Sequence, residues 1–585
     1  MTAPSLDYFE LIKTARKIVR NVEGYPEVRV AILADSSTQH LAQMLRACLH
    51  RHRMFAQVHE AGFDVIDQEV FAGDSELYRF KPDYVLLHVC TQALRDRYYR
   101  EGFQGRRLAE ETLARAVDRW DEIGRRTSAR IIQNLYVLPV ERVFGNFSRT
   151  VPDSLNAALA DLNARLVEAA RRRPNVLIHD VEHLASDAGK RVWSDETLWV
   201  HAKVFCRLEF LPEAAESLAG IVLAGAGRGK KCVVLDLDNT LWGGVIGDDG
   251  LSGIEVGDHG VGEAYARFQG FLLALKARGL ILAVCSKNER ENALLPFREH
   301  PRMLLREKDI SAFVANWESK AENIQGIART LNIGLDSMVF LDDSPFEREQ
   351  VRGLLPEVCV PEFPEDPAEI VPFLSRLNIF ETVSLSAEDA RRTELYQDQA
   401  RRDQEKARFS SVDEYLKSLS MEAVFARFDP FNLPRVAQLL LRSNQFNLTT
   451  RRYNEAECAA FMDDAAGCWP VAVSLKDRFG DYGLIAVIIA RLESPVLVLD
   501  SWLMSCRVLQ RGVEQLCMNR VFAFAKAGGF KTVQGIFAPT PKNGMVRDFY
   551  GRFGFRASAP DGEGRVFWTR SVSDYQPSEV FISCP

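Results

Sequence analysis

Hydrophobic positions along this chain recur in two patterns, short solid apolar runs and longer stretches with an apolar residue every third or fourth position. VRVAILAD (28–35) and DYVLLHV (83–89) are runs of the first kind and predict strands, as do SARIIQNLYVLP and NVLIHDV. TQHLAQMLRACLHRH and LNAALADLNARLVEAARRR have the second spacing and predict helices. Strands that alternate with helices imply a parallel sheet covered on both faces. After the small, flexible stretch GAGRGK (225–230) the alternation restarts: CVVLDLD, FQGFLLALKARG, LILAVCSKN, ENIQGIARTLNI and SMVFLDDS. A last segment mixes the strands GLIAVIIARL and SPVLVLDSWLM with the helix QRGVEQLCMNRVFAFAKAGG. The prediction is a multidomain α/β protein with units at 1–224, 230–385 and 421–585. A charge-dense helical linker at 386–420 would join the last two. A chain of 585 residues is too long for one hydrophobic core.

Composition changes this picture little: 47% hydrophobic and 26% charged residues are ordinary for a folded protein. A net charge of −7 argues against nucleic-acid binding through a general basic surface. MTAPSLDYFELIKTARKIVR predicts an amphipathic helix and lacks the apolar centre of a signal peptide. The apolar stretch GLIAVIIARLESPVLVLD is broken at Arg491 and Glu493, too early to span a bilayer. The 11 cysteines are scattered with no CxxC pair, so reduced thiols in a cytoplasm are expected.

The chemistry starts where a strand ends. CVVL runs into Asp236 and Asp238, with Leu237 between them. Parallel strands deliver their C-terminal ends to a ligand crevice, and side chains two apart on a continuing strand would share it. Two neighbouring carboxylates repel unless a cation neutralises them, and Mg²⁺ does so while leaving positions for phosphate oxygens. Asp236 could then attack phosphorus, Asp238 could protonate the leaving group and activate water, and Thr240 could orient either. Three later strand or helix ends carry partners. Ser286 and Asn288 offer donors to a phosphoryl oxygen, Lys320 opens a helix with a positive charge, and Asp342 and Asp343 complete a magnesium cradle. Each is weak alone, since a serine after a strand is usually a turn residue and a lone lysine is usually solvated. Their shared order, each after its own helix–strand step, is specific.

This set of DxDxT, Ser, Lys and DD resembles the haloacid-dehalogenase (HAD) superfamily of aspartate-nucleophile phosphotransferases over about 230–385. The resemblance implies Asp236 as nucleophile and Asp238 as acid/base with its backbone carbonyl on Mg²⁺. Asp342 would be the main distal metal ligand, with Asp343 beside it. Leu241–Gly260 is short and glycine-rich, with GDDG as a hairpin signal, and leaves no room for a large cap. The site should therefore be open to a bulky, protein-borne substrate. KCVVLDLDNTLWGGVIGDDG, LAVCSKNE, NWESKAENI and FLDDSPFERE, with RSNQFNLTTRRY and LMSCRVLQRGVE further on, resemble the FkbH-like branch. That branch implies a glyceryl unit drawn from 1,3-bisphosphoglycerate, dephosphorylated, and loaded as a thioester on an acyl carrier protein for polyketide or tetronate assembly. Cys285 has two readings, an acyl-carrying nucleophile beside Ser286 or a core cysteine on the opposite face of its strand.

The outer segments resemble two further folds. Cys506–Glu514 and Asn543–Phe555 are similar to parts of the GNAT acyltransferase fold, which implies a pantetheine or carrier-protein role. Gly512 at a helix N-terminus, with Arg507 and Arg511, would then hold phosphate, although Val513 departs from the small residue expected there. Ser443–Tyr453 adds amides, with Arg451 and Arg452 either lining the site or simply solvated. The first segment resembles SGNH hydrolases through Asp35–Ser36, Asn134 and Asp195. Leu198 stands where the catalytic histidine belongs and His201 comes too late, which favours a structural or docking role. Two rivals stay open: a HAD phosphatase of a small phosphorylated metabolite, and a carrier-binding scaffold.

Overall fold

The computed structural model describes residues 7–18, 24–385, 411–442, 446–505, 508–509, 511–540 and 543–584. Contacts divide the chain into two compact units, Thr2–Gly225 and Ala226–Pro585. In the first, β1 (Glu27–Ala34), β2 (Phe55–Glu60), β3 (Tyr84–His88), β4 (Arg130–Asn134) and β5 (Val176–His179) form a parallel sheet in the order β2-β1-β3-β4-β5. Ala31, Leu33, Val85, Leu87 and Ile131 pack from one face against Trp120, Leu159 and Leu162 of helices Gly105–Arg126 and Leu155–Arg171. Burying each large aliphatic side chain in such a layer contributes about 1.5–3 kcal/mol. Ser154 caps the second helix, its side chain accepting from Ala157 N. The expected N-terminal helix forms over Tyr8–Lys17 and buries Leu11, Ile12 and Ala15.

In the second unit, β6 (Cys232–Leu235), β7 (Ile281–Ser286), β8 (Ala312–Ala315) and β9 (Met338–Leu341) form a parallel sheet ordered β8-β7-β6-β9. Every residue of β6, β7 and β9 is buried, which is why these strands read as solid apolar runs. The hairpin expected at GDDG does not form. Ile246–Gly253 is helical instead, broken at Gly250 with φ +66°. The Asp249 carboxylate accepts Val245 N at 2.7 Å and favours that turn over a two-residue reversal. The loop still returns on itself, because Gly243 and Glu255 exchange both backbone hydrogen bonds, at 3.0 and 2.8 Å.

The third sheet has eight strands, mostly antiparallel. Its centre runs β10 (Met421–Arg427), β11 (Cys468–Asp477), β12 (Gly480–Glu493), β13 (Val496–Met504) and β14 (Thr532–Phe537). β13 and β14 are parallel and pair only from Val496↔Thr532 to Leu499↔Gly535, after which they part. Residues 446–448 fill the gap: Met504 N donates to Phe446 O at 3.1 Å, Leu448 N to Trp502 O at 3.0 Å, and Ala538 N to Leu448 O at 2.8 Å. Residues 386–410 of the expected linker lie outside the described residues, and Val412–Ser418 is helical. No described helix is long and apolar enough to cross a membrane.

Candidate active site

Strand register assembles the acids. Leu235 lies opposite Leu341 across β6 and β9, so the next residue of each strand, Asp236 and Asp342, emerge side by side. Asp236 N donates to Leu341 O at 3.0 Å, which prolongs the ladder by one bond. Carboxylate oxygens of Asp236, Asp342 and Asp343 all lie within 4.8 Å of one another. Into this cluster Lys320, the first residue of helix Lys320–Thr330, sends its ammonium, 3.0 Å from Asp236 Oδ1 and 2.5 Å from Asp342 Oδ2. Lys320 is 3% exposed and Asp342 fully buried.

The charges do not balance. Three carboxylates against one ammonium leave a net −2 when all are ionised. Burial, then the charge of Asp236, pushes the Asp342 carboxyl up to about 7 against the pull of Lys320. The same two causes raise Asp343. Burial works against the Lys320 ammonium, yet Asp236 and Asp342 together hold its pKa above the usual lysine value. Asp236 Oδ1 is buried and has no aligned hydrogen bond, despite the nearby ammonium. Clustered hard oxygens, an orphaned carboxylate atom and a surplus of two negative charges fit a divalent oxygen-ligated cation.

Asp238 takes a different position from the one expected. β6 ends at Leu235, so the two-residue alternation does not carry the Asp238 carboxylate into the cluster. Its Oδ1 accepts Trp242 Nε1 and Ile246 N, both at 2.9 Å, and its Oδ2 accepts Asn288 Nδ2 at 2.7 Å. Asn288 also reaches Ser286 Oγ at 3.3 Å, so Ser286 and Asn288 stand with Asp238 on one side of the crevice. Thr240 is buried and its Oγ1 accepts Asp343 N at 3.2 Å, tying the loop after β6 to the loop after β9.

Three supporting groups escaped the sequence reading. Trp242 fixes Asp238, as above. Arg348 is buried and donates from Nη1 to the carbonyls of Asp342 (2.9 Å) and Asp343 (2.7 Å), with Glu362 holding Nη2 at 3.0 Å. Lys287, next to Ser286, pairs at 2.6 Å with the buried Glu347. Arg348 and Glu347 both follow the DD pair within FLDDSPFERE, but nothing in the pattern says that they turn back onto it.

Cys285 does not face the crevice. It packs among Cys232, Ala283, Ala321, Ile324 and Phe340 in the core, and its Sγ lies 3.7 Å from the backbone O of Lys320. Burial pushes its thiol up to about 12, so almost no thiolate forms at neutral pH. Cys285 is therefore a core thiol and not the acyl nucleophile, because strand alternation sends Cys285 and Ser286 to opposite faces. Cys285→Ala is expected to keep phosphate release within about twofold of wild type, and the native thiol to resist iodoacetamide while the exposed Cys584 reacts. Peptide mass mapping after labelling checks the second point.

Elsewhere the expected residues are spent on structure. Arg511 is buried against Tyr482 and lies 3.6 Å from Asp477 Oδ2, so it does not add charge to an open phosphate site. Gly512, with φ +87°, precedes helix Val513–Ala527 as expected. Arg507 and Ser443–Gln445 lie outside the described residues. Arg451 and Tyr453 both bond the buried Asp500. In the first unit, Ser36 is buried with no partner for Oγ, Asn134 binds the backbone of Val89, Asp195 caps helix Glu196–Ala202, and His201 is exposed.

Comparison with known proteins fits this geometry. The family model of the FkbH N-terminal domain matches residues 29–223. The N-terminal part of protein BF1531 from Bacteroides fragilis, which contains a phosphatase domain and was crystallised with Mg, is 36% identical with a TM-score of 0.61. The match covers 65% of this chain and 100% of that one. Ribosomal-protein-S18-alanine N-acetyltransferase from Escherichia coli is 11% identical, with a TM-score of 0.21, over 27% of this chain and 98% of that one. No curated protein matches significantly. At 36% identity over the whole of the BF1531 fragment, this chain belongs to the FkbH-like family and is an enzyme of the HAD phosphatase/transferase type.

Proposed function

We propose that the enzyme takes a glyceryl unit from 1,3-bisphosphoglycerate, removes its phosphate and leaves it as a thioester on an acyl carrier protein. The observation that carries the phosphate chemistry is Asp236 seated beside Lys320, Asp342 and Asp343, three clustered carboxyl groups facing one ammonium. A Mg²⁺ held by the carboxylates of Asp236, Asp342 and Asp343, with the Asp238 carbonyl added on family resemblance, would draw charge off the phosphoryl oxygens. Asp236 attacks phosphorus, the P–O bond to the substrate breaks, and Asp238 delivers a proton to the departing oxygen. Asp238 then takes a proton from water, which breaks the Asp236–phosphorus bond and releases phosphate. Ser286 and Asn288 hold phosphoryl oxygens, Thr240 positions Asp343, and Lys320 sets its ammonium against Asp236, 3.0 Å from Oδ1. With Cys285 in the core, the thiol that receives the acyl group is the carrier's own. Its sulfur attacks the acyl-phosphate carbon, the C–S bond forms as the S–H proton passes to solvent, and phosphate leaves with the electrons of the broken C–O bond.

Intact-protein mass spectrometry tests this reading. A phosphopantetheinylated carrier is incubated with the enzyme, Mg²⁺ and 1,3-bisphosphoglycerate. Wild type should add a glyceryl mass to the carrier, and Asp236→Asn should add none, leaving at most a still-phosphorylated adduct. Phosphate release that needs Asp236 with no carrier adduct would instead identify a phosphatase of a small metabolite.

A further inference from the structure

The three carboxylates of the cluster are not held alike. Asp236 and Asp342 both meet the Lys320 ammonium, and Asp342 also accepts Ser344 N at 2.9 Å. Among the described residues, no other residue donates a hydrogen bond to the Asp343 carboxylate. Its direction is set through its backbone. Asp343 N donates to Thr240 Oγ1 at 3.2 Å, and Arg348 Nη1 donates to the carbonyls of Asp342 at 2.9 Å and Asp343 at 2.7 Å. With Ser344 N bonded to Asp342 Oδ1, the two peptide units on either side of the Asp343 Cα have all four polar groups engaged. Arg348 supplies two of those four bonds from one nitrogen.

The guanidinium is itself anchored. Arg348 is buried one turn into helix Pro345–Leu354, and its Nη2 donates to Glu362 at 3.0 Å. Glu362 also holds Arg352 at 2.7 Å, whose Nε donates to Val360 O at 3.0 Å. This segment runs along the outer edge of β9, where Phe340 N donates to Cys359 O at 2.9 Å and Cys359 N to Met338 O at 3.1 Å. A planar fork of donors can serve two carbonyls and a carboxylate together, whereas an ammonium keeps the charge and loses the plane.

A buried positive charge behind a cation site repels the cation, so what Arg348 contributes there is geometry. Geometry separates two common ions. Mg²⁺ demands near-octahedral oxygens at about 2.0–2.1 Å, while Ca²⁺ accepts more ligands at about 2.3–2.6 Å in flexible arrangements. A carboxylate free to swing serves the larger ion well, and a fixed one favours the stricter ion. Resting on the proposed Mg²⁺ chemistry, we infer that Arg348 is a positioning residue that makes the cluster selective for Mg²⁺ over Ca²⁺, by fixing the Asp343 carboxylate through its backbone.

The test uses the full chain, stripped with EDTA and titrated calorimetrically with MgCl₂ and separately with CaCl₂. Wild type should bind Mg²⁺ more tightly than Ca²⁺. Arg348→Lys, which keeps the charge, should cut the ratio of the two affinities about tenfold, mostly by weakening Mg²⁺. Thr240→Val removes the other anchor of the same peptide and should act in the same direction, so the result does not hang on one variant folding. Arg352→Lys disturbs the same Glu362 without touching either aspartate, and should leave the ratio within about twofold. An unchanged ratio in both Arg348→Lys and Thr240→Val overturns the inference, even where the melting temperature in EDTA falls, because lost packing alone weakens both ions together. An equal shift in Arg352→Lys overturns it too, as does a wild type with no preference for Mg²⁺. The glyceryl question is separate: a wild type that prefers Mg²⁺ yet leaves no adduct on the carrier fails the proposed function, while the ratio still decides the role of Arg348.

Discussion

Asp236→Asn should lower phosphate release by about four orders of magnitude, the scale seen when one member of a catalytic unit is removed. Its place in the structure explains why no neighbour can substitute. Asp342 is fully buried, is bonded by both Lys320 and Ser344 N, and has its carboxyl pushed up to about 7, so it is a poor nucleophile at neutral pH. Asp238 has both carboxylate oxygens engaged by donors. Asn at 236 keeps the shape and the backbone bond to Leu341, so circular dichroism and melting temperature should change little. Residual turnover above about one per cent would remove Asp236 from the nucleophile role.

Lys320→Met should destabilise the metal-free protein by about 3–5 kcal/mol, because it leaves buried carboxylates without their cation. The loss should depend on pH in a definite direction. Asp342 holds its proton more tightly in the folded chain than in the unfolded one, so its ionisation costs stability as pH rises from about 4 through about 7. Without Lys320 that folded value moves up further. The deficit of the variant is therefore smallest below the unfolded carboxylate range and grows as pH rises past neutrality. Millimolar Mg²⁺ should recover more of the melting temperature in the variant than in wild type, since it returns the missing positive charge. Melts in EDTA at acidic and mildly alkaline pH measure this. An equal deficit at both would mean that Lys320 stabilises by a contact independent of carboxylate ionisation, such as its ammonium over the Phe340 ring, and not by pairing with the acids.

Much of the crevice was legible because of how buried parallel strands are written. β6, β7 and β9 have no polar face, so the first polar residue after each run marks a strand end, and Asp236, Ser286 and Asp342 lie at those places. Lys320 was legible as the start of a helix pattern. Partners that act through space were not. Arg348 bonds carbonyl oxygens, which every residue has, and Arg511 lies against an acid 34 positions earlier, Asp477. Which way Cys285 faces depends on which layer of helices covers the strand, a tertiary fact. Edge strand β2, half exposed as FAQVHE, has too little apolar contrast to stand out. At 246–253 a single side-chain bond from Asp249 decided between two short turns of similar composition.

The three residues at 446–448 bear on how this protein can be cut for study. They act as an extra short strand, and the groups they satisfy at Trp502, Met504 and Ala538 lie far downstream in the chain. A fragment starting at 455 would keep seven of the eight strands yet leave those backbone groups open inside the fold. Each orphaned buried group costs about 1–3 kcal/mol, enough together to erase the margin of a small domain. The C-terminal sheet should therefore be produced only in fragments that begin before Met421, where β10 and this inserted segment travel together.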